Sequence, residues 1–203
     1  MKTTYFPKAW FLLAVAICLT SKLQASTIIY IFSGMGSGQL GSSTFSNVPF
    51  TLTATADTSQ ITQLGLALDV VNQTATVFVT GIGTAAITDQ TDTHELQSLQ
   101  DPWIYLGDLS NYRGIMRLTE YAPAAIPLAS YDMASPLAPV GGTPEINTPQ
   151  SGGIFPTTLG NFSFTSVSSV SFQAEIPEPS MAALLIAVIF AVWIVRSKIS
   201  LVA

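Results

Sequence analysis

Alternating apolar and polar side chains recur along the middle of the chain. Residues 50–56 alternate apolar side chains with threonines, and after a predicted turn at Asn72-Gln73 the apolar residues 75, 77 and 79 alternate with threonines at 74, 76 and 80. A period of two residues is typical of β-strands with one buried face. Further candidate strands cover residues 27–33, 64–71, 103–107, 114–121, 129–134, 160–165 and 168–175. This spacing predicts an all-β domain, an antiparallel β-sandwich or a jelly-roll-like form of it, and leaves closure into a barrel open.

Two stretches break the alternation. Asp92 and Glu95 have the spacing of a capping box ahead of Leu96 and Leu99, which predicts one short helix. Residues 136–156 contain several prolines and glycines and predict a long loop or a crossover connection. The expected domain is therefore a set of strands interrupted by one helical turn and one long connection.

An apolar segment precedes the candidate strands. Residues 1–25 carry lysines at positions 2 and 8, followed by an apolar run of eleven residues at 9–19. A positive start, an apolar middle and a small residue at the end are the parts of a secretory signal peptide. We expect cleavage between Ala25 and Ser26, which would also remove Cys18, the only cysteine. The exported body would then contain no disulfide bond.

A second apolar segment follows the candidate strands. Residues 181–195 contain no charged side chain and are apolar on every side of a helix, which predicts a membrane-spanning helix rather than a surface helix. Fifteen residues span about 22 Å of a hydrocarbon core of about 30 Å, so this helix would lengthen past Arg196 and Lys198, the predicted stop-transfer residues. The alternative is a buried helix of a globular core. The predicted anchor side chains are Met181, Leu184, Leu185, Ile186, Val188, Ile189, Phe190, Val192, Trp193, Ile194 and Val195.

The four residues before this segment are Pro177-Glu178-Pro179-Ser180. The two prolines fix an extended backbone that would expose Glu178 to an enzyme at the membrane surface. This motif, a short apolar helix and a basic end resemble, in that order, the PEP-CTERM sorting signal of exported bacterial proteins. The resemblance implies an exosortase, a membrane-embedded cysteine transpeptidase, as the partner that reads the tail. It also implies passage from the inner membrane to the cell surface or the extracellular matrix, in association with exopolysaccharide.

The charge of the body narrows its partners. Between residues 26 and 176 the only cations are Arg113 and Arg117, against eleven carboxylates. A net charge of about −9 argues against binding to nucleic acid or to anionic headgroups. The sequence thus divides into a signal peptide (1–25), a β-rich exported domain (26–176) and a sorting and anchor tail (177–203).

Motifs for chemistry are weak. Residues 36–41 match G-x-G-x-x-G, but no helix pattern follows, so a glycine-rich hairpin is the preferred interpretation over a dinucleotide site. Asp89, Asp92, His94 and Glu95 are the densest polar cluster and could hold Ca²⁺, although helix capping explains two of them. No nucleophile elbow is present, and no pair of carboxylates is singled out for hydrolysis. We therefore predict no catalytic residues, no metal and no cofactor.

Five aromatic residues carry the alternative function. Trp103, Tyr105, Tyr112, Tyr121 and Tyr131 would stack on sugar rings if they faced solvent, or would fill the core with their hydroxyls at the rim. The sequence predicts an exported, non-enzymatic surface or matrix protein. Its alternative is a secreted, lectin-like carbohydrate-binding module.

Overall fold

Eleven β-strands and two 3-10 helices make up the computed structural model, which describes residues 27–108, 113–120, 127–146 and 153–177. The 3-10 helices are Thr58–Gln60 and Pro127–Ser130. The strands are β1 (Thr27–Leu40), β2 (Ser43–Asp57), β3 (Thr62–Leu64), β4 (Ala67–Val79), β5 (Gly83–Ala86), β6 (Asp92–Leu96), β7 (Trp103–Asp108), β8 (Arg113–Thr119), β9 (Leu137–Glu145), β10 (Phe155–Thr157) and β11 (Gly160–Glu175).

Eight of these strands form one closed antiparallel sheet. Its order is β1-β2-β4-β6-β7-β8-β9-β11, and β1 pairs back onto β11. Each strand of this barrel lies beside the next one along the chain, while β3 and β5 pair with β4, and β10 pairs with β11. The prediction of an all-β antiparallel domain is confirmed. The sheet closes into a barrel of eight strands, however, and not into the sandwich or jelly-roll-like arrangement, because its first and last strands bond to each other.

Apolar side chains fill the barrel. The alternation predicted for residues 50–56 places Phe50, Leu52, Ala54 and Ala56 inside, fully buried or nearly so, and β11 adds Phe172. An eight-stranded barrel has an interior just wide enough for side chains to fill. Ring centroids of neighbouring phenylalanines lie 5.0 Å apart (Phe32 and Phe172) and 4.6 Å apart (Phe50 and Phe164).

Strand β4 replaces two predicted strands and the predicted turn between them. Its first half pairs with β3 and β6, and its second half pairs with β2 and β5. The turn at Asn72-Gln73 is a wrong prediction, because the buried Asn72 amide is satisfied within the sheet. Its Nδ2 donates to Thr91 Oγ1 (3.1 Å), and its Oδ1 accepts from Thr93 Oγ1 (2.9 Å). Likewise, the two strands predicted at 160–165 and 168–175 are the single strand β11.

Three other predictions are wrong, the first two because strands pair where other structure was expected. The short helix at Asp92–Leu96 is instead strand β6, bonded on both sides to β4 and β7. The predicted long connection contains the nine-residue strand β9. Residues 129–134, predicted as a strand, contain the end of a 3-10 helix and a loop. Long-range hydrogen bonding outweighs the local signals in the first two cases.

The glycine-rich stretch forms part of β1 and the turn after it. The register between β1 and β11 shifts at Met35/Gly36 and again at Ser37/Gly38. A Cβ atom at Gly34 or Gly38 would collide with backbone of β11, at Ser169 or Ser163 respectively. The preferred interpretation of residues 36–41 as a hairpin with bulges is confirmed.

The two ends of the barrel differ. Ile29 pairs with Glu175, so β1 begins beside the point where β11 finishes. We call this end of the barrel the terminal end. Because strands alternate in direction, the connections β2–β4, β6–β7 and β8–β9 also lie there. Residues 127–136 of the last connection, which we call the plug segment, cover the interior with the fully buried Leu128 and Met133. Tyr30 Oη donates to the Met133 carbonyl (2.7 Å) from inside the barrel.

Gly34→Ala should destabilise the barrel, because a Cβ there meets the Ser169 carbonyl in the strand pair that closes the sheet. We expect a loss of about 1–3 kcal/mol in the free energy of unfolding, measured by urea titration of residues 26–177. Gly141→Ala in β9 is the matched control, since nothing lies within 4 Å of its Cβ position. Equal stability of the two variants would contradict the close approach of β11 at Gly34.

Candidate functional site

The predicted sorting motif begins immediately outside the barrel. Strand β11 ends at Glu175, and Ile176 and Pro177 are exposed beyond it. The hydrogen-bonded sheet therefore stops one residue short of the motif. Because Thr27 starts β1 at the same end of the barrel, both predicted processing regions adjoin the terminal end.

The rest of these predictions lie outside the described residues. They are Glu178, Pro179 and Ser180, the cleavage pair Ala25 and Ser26, the anchor at 181–195, and Arg196 and Lys198. Within the four described ranges, no helix has the length and apolar character needed to cross a membrane.

A row of polar and aromatic side chains crosses the outside of the barrel. Its five members are direct partners on successive strands from β4 to β9: Asp69, His94, Tyr105, Arg117 and Glu145. They face outward because their neighbours along the strands, such as Ile104 and Leu118, are fully buried inside. We call this set the outer polar row. Sequence alternation alone could not assemble it, since its members come from five strands.

Trp103 stands beside the outer polar row and is half-buried. His94, on the strand to one side, stacks on its ring at 5.2 Å between centroids and 24° between planes. Arg117, on the strand to the other side, places its guanidinium carbon 5.6 Å from the ring centroid. Protein groups from both flanking strands therefore contact the indole, and a sugar ring would have to compete with one of them.

Charges along the outer polar row are paired. Arg117 forms an ion pair with Glu145, and Thr119 Oγ1 donates to the same carboxylate at 2.8 Å. His94 Nδ1 lies 3.5 Å from Asp69 Oδ1, an ion pair when the imidazole is protonated. Burial, helped by the negative charge of Asp108 and then of Asp92, raises the pKa of Tyr105, so its phenol stays protonated at neutral pH.

The residues of the polar cluster predicted at 89–95 do not form one site in the fold. Asp89 and Asp108 both bind Arg113 Nη2, at 2.6 Å and 2.9 Å. The hydrogen bonds of Asp108 and Asp89 raise the pKa of Arg113, which keeps that cation charged. His94 faces outward and Glu95 inward, since they are neighbours along β6. Among the described residues, no three His, Cys, Asp or Glu side chains are arranged to hold a metal ion.

Glu95 is the residue whose environment the sequence did not predict. It is fully buried inside the terminal end, and neither carboxyl oxygen has a hydrogen-bond partner among the described residues. Burial raises the pKa of Glu95 to about 8, and the negative charge of Asp132 in the plug segment adds to the shift. The carboxyl therefore holds its proton at neutral pH. The period of two would have placed Glu95 inward only if β6 had been recognised as a strand.

The five candidate aromatics take different positions. Trp103 and Tyr105 lie on the outer face, but Tyr105 is only 7% exposed, so Trp103 alone offers its ring to solvent there. Tyr131 is buried in the plug segment, where its hydroxyl donates to the Ser135 carbonyl (3.1 Å) and its ring contacts Phe172. Tyr112 and Tyr121 lie outside the described residues. Among the described members of the five, Trp103 thus remains the candidate for contact with a ligand.

Comparisons of the chain with protein-family models, with curated proteins and with solved structures found no match.

Glu95→Gln should remove a pH dependence from the stability of the barrel. The folded carboxyl keeps its proton up to about pH 8, whereas the unfolded one releases it near the ordinary value of 4.5. Stability contributed by this group is present below pH 4.5 and is lost as the pH rises through that window, by at most about 1.4 kcal/mol per pH unit. In urea titrations at several pH values, the free energy of unfolding of the variant should increase relative to that of the wild type as the pH rises.

The exposed Glu175 supplies the matched control for this measurement. Glu175→Gln should keep the wild-type loss of stability between pH 4.5 and about 8. If the curves of Glu95→Gln and of the wild type run parallel over this range, the protonated, buried state of Glu95 is refuted.

Proposed function

We propose that this chain is an exported bacterial cell-surface or matrix protein without catalytic activity, delivered by an exosortase-type enzyme that reads its C-terminal tail. The observation that carries the proposal is the order of parts in residues 177–198: Pro177-Glu178-Pro179-Ser180, an uncharged apolar run, then Arg196 and Lys198. The proposed domains are a signal peptide (1–25), the barrel (26–176) and the sorting and anchor tail (177–203).

The position of Pro177 supports this assignment. The described barrel completes its sheet at Glu175, and Pro177 is exposed after it. A sorting enzyme could therefore act on the tail without unfolding a strand. The closed sheet needs no pairing from residues after 175, so the body would keep its structure after the tail is removed.

The proposed location follows from the two apolar ends. The leader would direct residues 26–176 across the inner membrane, and the anchor would hold them on its periplasmic side until sorting. Arg196 and Lys198 would stay on the cytoplasmic side. Two features would keep copies of the barrel from aggregating at high local density. A closed sheet has no free edges for strand pairing, and the excess of carboxylates makes the copies repel each other. Exopolysaccharide is the proposed companion in the matrix.

Glu178→Gln should block removal of the tail. The motif would lose its only carboxylate, and we expect the variant to stay in the membrane fraction at full length after the leader is cut. Mass spectrometry of the C-terminus, in cells with and without the sorting enzyme, measures this. Glu175→Gln, three residues upstream and inside β11, is the control and should be processed like the wild type. Normal processing of Glu178→Gln would argue against recognition at this motif.

The outer polar row favours a second candidate function, a carbohydrate-binding module. Trp103 offers a ring flanked by two groups that could hydrogen-bond to sugar hydroxyls, His94 and Arg117. Stacking on an aromatic ring flanked by polar groups suits recognition of a sugar. The contacts of His94 and Arg117 with the indole weigh against this candidate, because a sugar ring could stack only after displacing one of them.

Trp103→Ala tests the carbohydrate candidate on a glycan array. If the barrel binds a glycan through the outer polar row, this variant should lose most of that signal. Phe78→Ala is the control, because Phe78 is an exposed aromatic residue of another strand, β4, and lies away from the row. Absence of any glycan signal from the wild-type barrel, or equal binding by both variants, would reject the candidate.

A further inference from the structure

Four of the eight large apolar side chains that are exposed in the described residues lie at the terminal end of the barrel. Leu64, Leu66 and Leu99 are 71%, 66% and 86% exposed, and Ile176 is 37% exposed. The first three lie on or beside the β3–β4 and β6–β7 connections, and Ile176 follows β11, so all four belong to this end. We call them the leucine rim.

The loops of the leucine rim are fixed in place by backbone hydrogen bonds. The Gln97 N–H donates to the Leu66 carbonyl at 2.9 Å, which joins the β6–β7 connection to the β3–β4 turn. The Gln97 side chain donates to the Tyr131 carbonyl at 2.6 Å, which ties the same loop to the plug segment. The rim is therefore a shaped surface built on the sheet.

The tether from the barrel to the predicted anchor is short. Three residues, 178–180, separate Pro177 from the first residue of the apolar run at 181. Even fully extended, this link spans only about 14 Å. If residues 181–195 lie in the bilayer, the terminal end must therefore face the membrane at close range.

Charge at this end determines the kind of membrane surface that it fits. The terminal end carries the carboxylates Asp57, Asp101, Glu120, Asp132 and Glu175, while Arg117, whose guanidinium lies over the Trp103 ring, is already paired with Glu145. Anionic headgroups would repel this set, whereas zwitterionic headgroups would not. On an anionic membrane, the exposed leucines would therefore favour binding of this end, and its carboxylates would oppose binding.

We propose that the leucine rim inserts into the boundary between headgroups and acyl chains of the bilayer that holds the anchor, so that the barrel stands with its terminal end on the membrane until sorting. This inference rests on the proposed function, since it requires the tail to be held in lipid. Exposed leucines at the tips of rigid loops would exchange water for the interface on contact.

The test uses the full chain after removal of its leader, reconstituted in phosphatidylcholine vesicles that contain nitroxide-labelled lipid. The leader holds the only cysteine, so Leu66→Cys and Leu99→Cys each provide a single attachment point for a fluorophore. Leu159→Cys is the matched control, because it is an exposed leucine in the turn between β10 and β11 at the opposite end. We expect quenching at 66 and 99 to be several-fold stronger than at 159.

Flotation of the same vesicles separates the two possible failures. If the chain floats with the lipid but the three positions are quenched equally, the leucine rim does not insert while the anchor does, and only the present inference falls. If the chain does not float, the anchor is wrong and the inference falls with it. In vesicles with added phosphatidylglycerol, quenching at 66 and 99 should weaken at low salt and recover at high salt; stronger quenching at low salt would contradict the role of the carboxylates.

Discussion

The hydrogen bonds between β1 and β11 are the constraint on which the rest of the structure depends. They join residues far apart in the chain, as in the contact between the hydroxyls of Ser33 and Ser171 at 3.0 Å. Without this pairing the sheet would have two free edges, and the aromatic interior would open to water. The glycines of β1 belong to the same constraint, because β11 approaches them too closely for a larger side chain. The pairing also places the first and last residues of the barrel at one end.

The period of two predicted the class of the fold and several of its strands, but not the strands whose identity depends on distant partners. The polar residues around Asn72 indicated a turn. The Asn72 side chain is instead hydrogen-bonded by a residue of β6 and by a residue just before β6, so it is satisfied within a strand. In β9, prolines 139 and 144 indicated a loop. They are tolerated because the first part of β9 pairs only with β11 and the last part only with β8, so each proline has a free side. The sequence contains these partners but gives no local sign of which ones meet.

The candidate sites show the same division. The sorting motif is contiguous, so sequence alone could propose it. The outer polar row needs the register of five strands, and the buried carboxyl of Glu95 needs the recognition that β6 is a strand. Electrostatics link these sites, since both arginines of the barrel are already paired, Arg113 with Asp89 and Asp108, and Arg117 with Glu145. Burial, by contrast, keeps Glu95 neutral.

The order of strands also limits how the sheet can assemble. In a meander each new strand can pair with the one just made, so most of this sheet can grow by local steps as the chain becomes available. The last step is different, because β1 must wait for a strand that begins at residue 160. Such long-range pairing is entropically slow, and a growing sheet with unpaired edges is open to association with other copies. If the chain is exported as proposed, the barrel would close only when its final strand had emerged from the membrane, so the open assembly intermediate would persist until then.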